Sequence, residues 1–256
     1  MMMQQDPKSY IAALQLSFPE NAYKRIVRGV PTEIESVEED SDKDKAYFDN
    51  KSIVSFVAGV SPENRQDILD STLLAQLAAG HLYPNPQDLK LWYEKYTEVL
   101  RNIGWTIQLN EFSEVSSSGS LFEMKNAILG IVSAAFGGNY VAIVTNVLDA
   151  LKSLSDSDSK IVAFEKNTHS LGKGTFQLAM VEEVNGAVAL HMAGFIISTS
   201  SEVKRILFFS SKKEKATVSS NSMACALNKE TYATVRNTVK QKLGDKAQQY
   251  IAEITI

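Results

Sequence analysis

The chain has 256 residues and a mass of 28.2 kDa, 44% hydrophobic and 22% charged, which suffices for one substantial core or two small ones. Its 26 basic and 30 acidic side chains leave a net charge of −4, so the global polyanion-binding surface of a nucleic-acid protein is not indicated, which leaves room only for a local basic patch. One cysteine excludes an intrachain disulfide framework and any multi-cysteine zinc site, so neither metal nor disulfide is expected to hold the fold.

The N-terminus has no basic segment ahead of a long apolar run and no small-residue cleavage site, so no secretory signal is expected. A cytoplasmic life or export by a non-classical route fits. Ile11 to Phe18 is a short apolar stretch ended by Pro19, read as a helix turn or strand packed on the body. The acidic run from Glu33 through Asp44 reads as a solvated loop. Asp40, Asp42 and Asp44 imitate the start of a calcium loop, but Lys45 stands where the turn needs glycine and Lys51 where the bidentate Glu would sit.

Ile53 to Val60 reads as a short buried strand, and Ser61-Pro62-Glu63 then supplies a cap, a first-turn proline and an acidic first turn. The helix is expected to run to Ala79 and stop at Gly80, with Ile68, Leu69, Thr72, Leu73, Gln76 and Leu77 on its inward stripe. Asn85-Pro86 opens a second helix carrying Leu89, Trp92, Tyr96, Val99, Leu100 and Ile103, closed by Gly104. Alternation at Trp105, Ile107 and Leu109 then predicts a strand. Ser116 to Gly119 reads as a linker, with Ser120 and Glu123 as a capping box for the next helix.

No charge occurs from Asn126 to Leu148, and Gly137-Gly138-Asn139 interrupts that stretch midway. It reads as two apolar helices meeting at a tight bend, a central buried hairpin, with a lipid-inserting or lipid-shielding segment as the alternative. Beyond the polar turn Ser155 to Ser159 the pattern turns extended. Strands are predicted at Ile161–Phe164, Thr175–Val184, Ala187–Thr199, Ile206–Ser210 and Ala216–Ser220, as an antiparallel meander with 187–199 central and covered on both faces. Asn228 caps a last helix bearing Tyr232, Val235, Val239 and Leu243. Gly244 closes it, and Tyr250, Ala252, Ile254 and Ile256 alternate as a terminal strand.

The order helix, glycine, strand therefore occurs twice. The fold class is α+β, α/β-like, with two α/β halves. Residues 1–118 form an N-terminal half with an acidic loop at 33–45. Residues 119–256 form a C-terminal half with apolar helices over 120–153, the meander and the final helix and strand.

Candidate chemistry centres on Cys225, set among small residues just before the Asn228 cap. A helix N-terminus lowers a thiol pKa where the sulfur approaches its free N–H groups, and the resulting thiolate accepts an acyl chain or attacks as a nucleophile. A small buried hydrophobe is the bland alternative. A catalytic cysteine needs a base. Of His81, His169 and His191, His191 reads as a core imidazole and His169 as the more polar candidate, with Glu165 or Glu182 to orient it. Gly172-Lys173-Gly174 lacks the spacing of a phosphate loop and reads as a turn. Lys212, Lys213 and Lys215 read as a solvated hairpin tip, and no motif names a reaction.

A chain of this size with two α/β halves, a very apolar middle and the lone Cys225 on its C-terminal side resembles the Erwinia virulence factor family. It resembles equally the accessory proteins encoded beside bacterial α-pore-forming toxins. The resemblance implies a non-enzymatic virulence or toxin-accessory protein with a palmitate-like fatty acyl thioester on Cys225, folded into an internal apolar cavity. No other cofactor is implied. Ile128, Leu129, Val132, Phe136, Val141, Val144, Val147 and Leu148 would line that cavity. A sixteen-carbon chain buries about fifteen methylenes at roughly 0.8 kcal/mol each, and a single chain gives only reversible membrane attachment. Toxin components encoded nearby are the implied partners. The alternatives are a thiol-dependent acyltransferase or thioesterase using Cys225 with His169 or His191, and a membrane-inserting toxin module using 126–148.

Overall fold

The computed structural model describes residues 6–23, 41–109, 113–116, 122–170, 173–199, 205–208, 210–211 and 216–256. Residues 33–40 of the acidic loop, Ser117 to Gly119 of the linker, Ser120 of the capping box, Gly172, and Lys212, Lys213 and Lys215 lie outside the described residues.

The N-terminal part opens with α1 (Pro7–Ala13), whose cap Asp6 accepts from the Ser9 N–H at 2.9 Å. Two short strands follow, β1 (Lys45–Asp49) and β2 (Ser52–Phe56), the first of them unforeseen in the charged sequence around it. Next come α2 (Pro62–Leu82), α3 (Leu89–Asn102), β3 (Trp105–Leu109), β4 (Ser113–Ser116) and β5 (Phe122–Glu123). The helical hairpin is α4 (Met124–Phe136) and α5 (Val141–Ser153), followed by α6 (Ser159–Thr168). Then come β6 (His169–Ser170), β7 (Lys173–Val184), β8 (Ala187–Thr199), β9 (Ser210–Ser211), β10 (Ala216–Leu227), α7 (Lys229–Leu243) and β11 (Ile251–Ile254).

The main sheet runs β11-β1-β2-β7-β8-β10-β3, with β4 also on β10 and β6 on β7, while β5 and β9 pair separately. β2 and β7 are parallel, whereas β7, β8 and β10 form the expected antiparallel meander. Strands from before and after residue 118 thus join in one sheet. Its two faces bury separate cores. On one, Ala179, Val181, Leu190, Met192, Met223 and Cys225 pack with α2, α3 and α7. On the other, Leu178, Met180, Ala193, Phe195 and Val218 pack with α4, α5 and α6. β8 is covered on both faces because its even-numbered side chains enter the first core and its odd-numbered ones the second.

Several expectations are corrected. α2 passes through Gly80 and ends at Leu82, ahead of Pro84; Gly80 lies in the helix with the Trp92 indole nitrogen 4.0 Å from where a Cβ would stand. Ile161–Phe164 is helical, because Asp158 accepts from the N–H groups of Lys160 (2.9 Å) and Ile161 (3.2 Å) as an N-cap. Ile206–Phe208 is a single 3-10 turn. α4 starts at Met124, and Glu123, just ahead of it, accepts from the Asn126 side chain. β10 runs seven residues past the predicted Ser220 end, so Cys225 stands inside a strand.

Candidate functional site

Cys225 is paired with Leu190 on β8 and Ile107 on β3 and is buried against the α3 side of the sheet. Burial pushes its thiol up to about 12, opposed only in part by Arg101, so the thiolate needed for nucleophilic attack is scarce at neutral pH. The expected activation at the α7 N-terminus does not occur. Asn228 Oδ1 accepts from the Thr231 N–H at 2.9 Å, and the sulfur faces the sheet–α3 core instead.

No histidine reaches this sulfur. His191 pairs beside Ala224, on the parity of β8 that faces the other core, where its ring meets Phe136 and Tyr140 at centroid distances of 5.8 and 5.5 Å. Glu182 lies 4.0 Å from its Nε2. His169 pairs with Gly174, which pairs with Ile197. Along β8, Ile197 is seven residues from Leu190, the partner of Cys225, or about 23 Å at the rise of a strand. Its Nε2 is buried with no hydrogen-bond partner. His81 sits near the end of α2 beside a surface groove with Leu14 and Lys95.

The eight residues expected to line an acyl cavity fall on the opposite sheet face from Cys225. Ile128, Val132, Val144, Val147 and Leu148 are buried in the second core, and Leu129, Phe136 and Val141 pack against it half-buried. An alkyl chain on Cys225 would have to cross the sheet to reach them. Cys225 and these eight residues therefore lie in separate cores.

The hairpin itself is well defined. Met124, Ile128 and Val132 of α4 and Val144, Val147, Leu148 and Leu151 of α5 face the sheet. Gly137, at φ 95°, makes the bend in the left-handed region where a side chain would be strained. Beside the bend, burial and then the nearby Glu182 carboxylate raise the Tyr140 phenol to about 12. The outward positions are Gly130, Ser133, Ala134, Ala135, Asn139, Ala142 and Asn146, all exposed and none charged. The first charges on either side, Lys125 and Asp149, pair with each other at the open end of the hairpin. Arg205 fastens the end of α5 by donating to the Leu151 carbonyl at 2.8 Å and to Asp156 at 2.8 Å.

On the other face a polar row crosses the sheet, following the pairs Asp49–Ser52, Ser52–Gln177, Gln177–Gly194 and Gly194–Asn221. Asp49 is fully buried and pushed well above the ordinary carboxylate range by desolvation. Its Oδ2 accepts from Thr72 Oγ1 at 2.6 Å and from Gln76 Nε2 at 3.3 Å. Only glycine fits at 194: a methyl group would fall inside contact distance of Tyr93 Oη and Asn221 Oδ1 and 2.7 Å from Tyr93 Cζ. Where this row meets the α2–α3 connection, a cleft of about 40 Å³ opens between Lys51, Gln177, Trp92, Tyr93 and Tyr83. None of these residues was singled out as a ligand-binding candidate in the sequence, where Lys51 figured only as a mismatch to a calcium loop. The legible signal was Gln177, a lone amide on the inward parity of an apolar strand.

No helix among the described residues is long and apolar enough to cross a membrane, and no cluster of metal-ligating side chains occurs among them. No protein-family model and no curated protein sequence matches the chain. Solved structures with a similar arrangement include a δ-endotoxin, at 14% identity and TM-score 0.43 over 83% of this chain and 90% of that one. They include the activated Cyt2Ba monomer from Bacillus thuringiensis subsp. israelensis, at 13% identity and TM-score 0.42 over 70% of this chain and 97% of that one. The Evf virulence factor is similar at 10% identity and TM-score 0.38, over 76% of this chain and 77% of that one.

Proposed function

We propose that this protein acts at lipid surfaces, with the α4–α5 hairpin as the element that meets the lipid. One observation carries the reading: a two-helix hairpin with no charge between Lys125 and Asp149, whose solvent-facing side is built of glycine, alanine, serine and asparagine. Moving such a surface into the headgroup and acyl boundary requires no ionised side chain to lose its water, the largest cost of entering lipid. The bracketing charges neutralise each other at the open end. Each helix has 13 residues, about 20 Å, so neither crosses a hydrocarbon layer of about 30 Å and the contact is interfacial or confined to one leaflet. Leu129, Ile131, Phe136, Val141 and Ile143, half-buried at the flanks, supply apolar area once the hairpin tilts from the sheet. An S-acyl anchor at Cys225 draws no support from the surroundings of that residue, which are the opposite core and a raised thiol pKa.

Vesicle flotation tests this reading. The purified chain is expected to float with phosphatidylcholine–phosphatidylglycerol vesicles, and the double variant Ala134→Asp/Ala142→Asp, changed at two exposed positions, to lose at least about tenfold in partitioning. Equal flotation of the double variant, or no flotation of the parent chain, would refute it.

A further inference from the structure

The cleft on the α2–α3 side of the sheet lies on the opposite face from the hairpin and is independent of it. Its cation is held in place by the backbone. The Lys51 N–H donates to Gln76 Oε1 at 3.0 Å, and its carbonyl accepts from the Gln177 N–H at 3.0 Å. Asn50, at φ 51°, makes the tight turn that delivers Lys51 from β1 to β2. The Lys51 side chain is half-buried, and burial lowers its pKa. Among the described residues no carboxylate lies in ion-pair range of its ammonium, and no aspartate or glutamate lines the cleft. An ammonium desolvated without a counter-ion is costly, and an incoming anion relieves that cost.

The rest of the cleft defines the remainder of the ligand. Gln177 Oε1 already accepts from Ser52 Oγ at 2.7 Å, while its amide nitrogen is buried with no hydrogen-bond partner among the described residues. Trp92 and Tyr83 are aromatic walls of the cleft. The open cleft's volume of about 40 Å³ exceeds the 10–15 Å³ or so that one water needs, so a two-oxygen head group fits in it while a flat body rests in the mouth. The geometry points to a binding site for a small aromatic carboxylate, its carboxylate on Lys51 and Gln177 and its ring against Trp92 and Tyr83.

The test uses the full chain, labelled with nitrogen-15 and titrated at neutral pH with benzoate, its neutral analogue benzamide, and inorganic phosphate. Benzoate is expected to shift the Gln177 amide and Trp92 indole N–H signals saturably, with a dissociation constant on the order of 1 mM, as suits so small a ligand. Benzamide and phosphate are each expected to bind at least about tenfold more weakly, and Lys51→Met to weaken benzoate by a similar factor with a melting midpoint no lower than the parent's. The benzoate and benzamide comparison needs no substitution, so it stands even where Lys51→Met disturbs folding. Absence of a saturable benzoate shift, benzamide binding equal to benzoate, or phosphate binding equal to benzoate each overturns the assignment.

Discussion

At the residue scale, Cys225 shows how far a local reading carries. Its sequence neighbours are mostly small and a helix cap follows three residues later, a setting that leaves open both a small buried hydrophobe and an activated thiol. Strand pairing on both sides decides for the first, since β3 and β8 hold the residue while α3 closes over it. A thiol raised to about 12 is ionised at pH 8 roughly a thousandfold less than an ordinary one. Reaction of the native chain with a disulfide reagent is accordingly expected to be slower by about that factor than in denaturant, and intact mass to match the unmodified 28.2 kDa chain. Fast native labelling, or a hydroxylamine-sensitive acyl adduct, would contradict this packing and restore the acylated account. Lys51 was missed for the converse reason. Nothing beside it in sequence marks a cleft, whose walls come from residues 83–93 and 175–177.

At the scale of elements, the sequence was most legible where period and caps agreed. α3, α7, β7 and β8 were read within a few residues of their observed ends, and the glycine bend of the hairpin was foreseen at Gly137-Gly138. Misreadings arose where one local signal outweighed another. The run Ile161-Val162-Ala163-Phe164 has strand composition, but Asp158 satisfies two free N–H groups and Ile161 and Phe164, three apart, face the core together. The polar run Ser219 to Ser222 looked like a strand end, yet its Asn221 belongs to the buried row crossing the sheet. The parallel pairing of β2 with β7, distant in sequence, has no local signature at all. Asp158→Ala is expected to destabilise the chain by about 1 kcal/mol and Asp158→Asn or Asp158→Ser by much less, read from denaturant midpoints. Equal losses in all three would mean that the carboxylate acts through its charge and not as a cap.

For the whole molecule, two layers on one sheet divide the chemistry. The α4–α5 face is free of charge along its hairpin, while the α2–α7 face holds buried carboxylates. Arg236 of α7 reaches Asp67 at 2.6 Å and Glu63 at 2.9 Å, and one turn along α2 Asp70 is buried, accepting from Gln66 at 2.8 Å. Desolvation raises Asp70 from 3.8 to about 6, against weaker opposition from Gln66 and the exposed Lys240 and with a small further push from Asp67. A carboxyl whose folded pKa lies above its unfolded one binds more protons in the folded state between those values. Its contribution is then complete below about pH 4 and is lost as pH rises through about 6. The shift corresponds to about 3 kcal/mol at most. Asp49 and Asp67, also raised by burial, add to the same slope, while Glu98 and Glu183, held low by Lys95 and Lys229 and by hydrogen bonds, act in the opposite sense at more acidic pH. Urea midpoints of the parent chain are therefore expected to fall between pH 4.5 and pH 7.5. Asp70→Asn keeps the acceptor for Gln66 and removes the titrating group. It should flatten that fall and leave the variant more stable than the parent at pH 7.5 by about 1–3 kcal/mol, with little difference at pH 4. A variant that follows the parent slope, or is weaker at pH 7.5, would show that Asp70 is ionised at little cost in the folded chain.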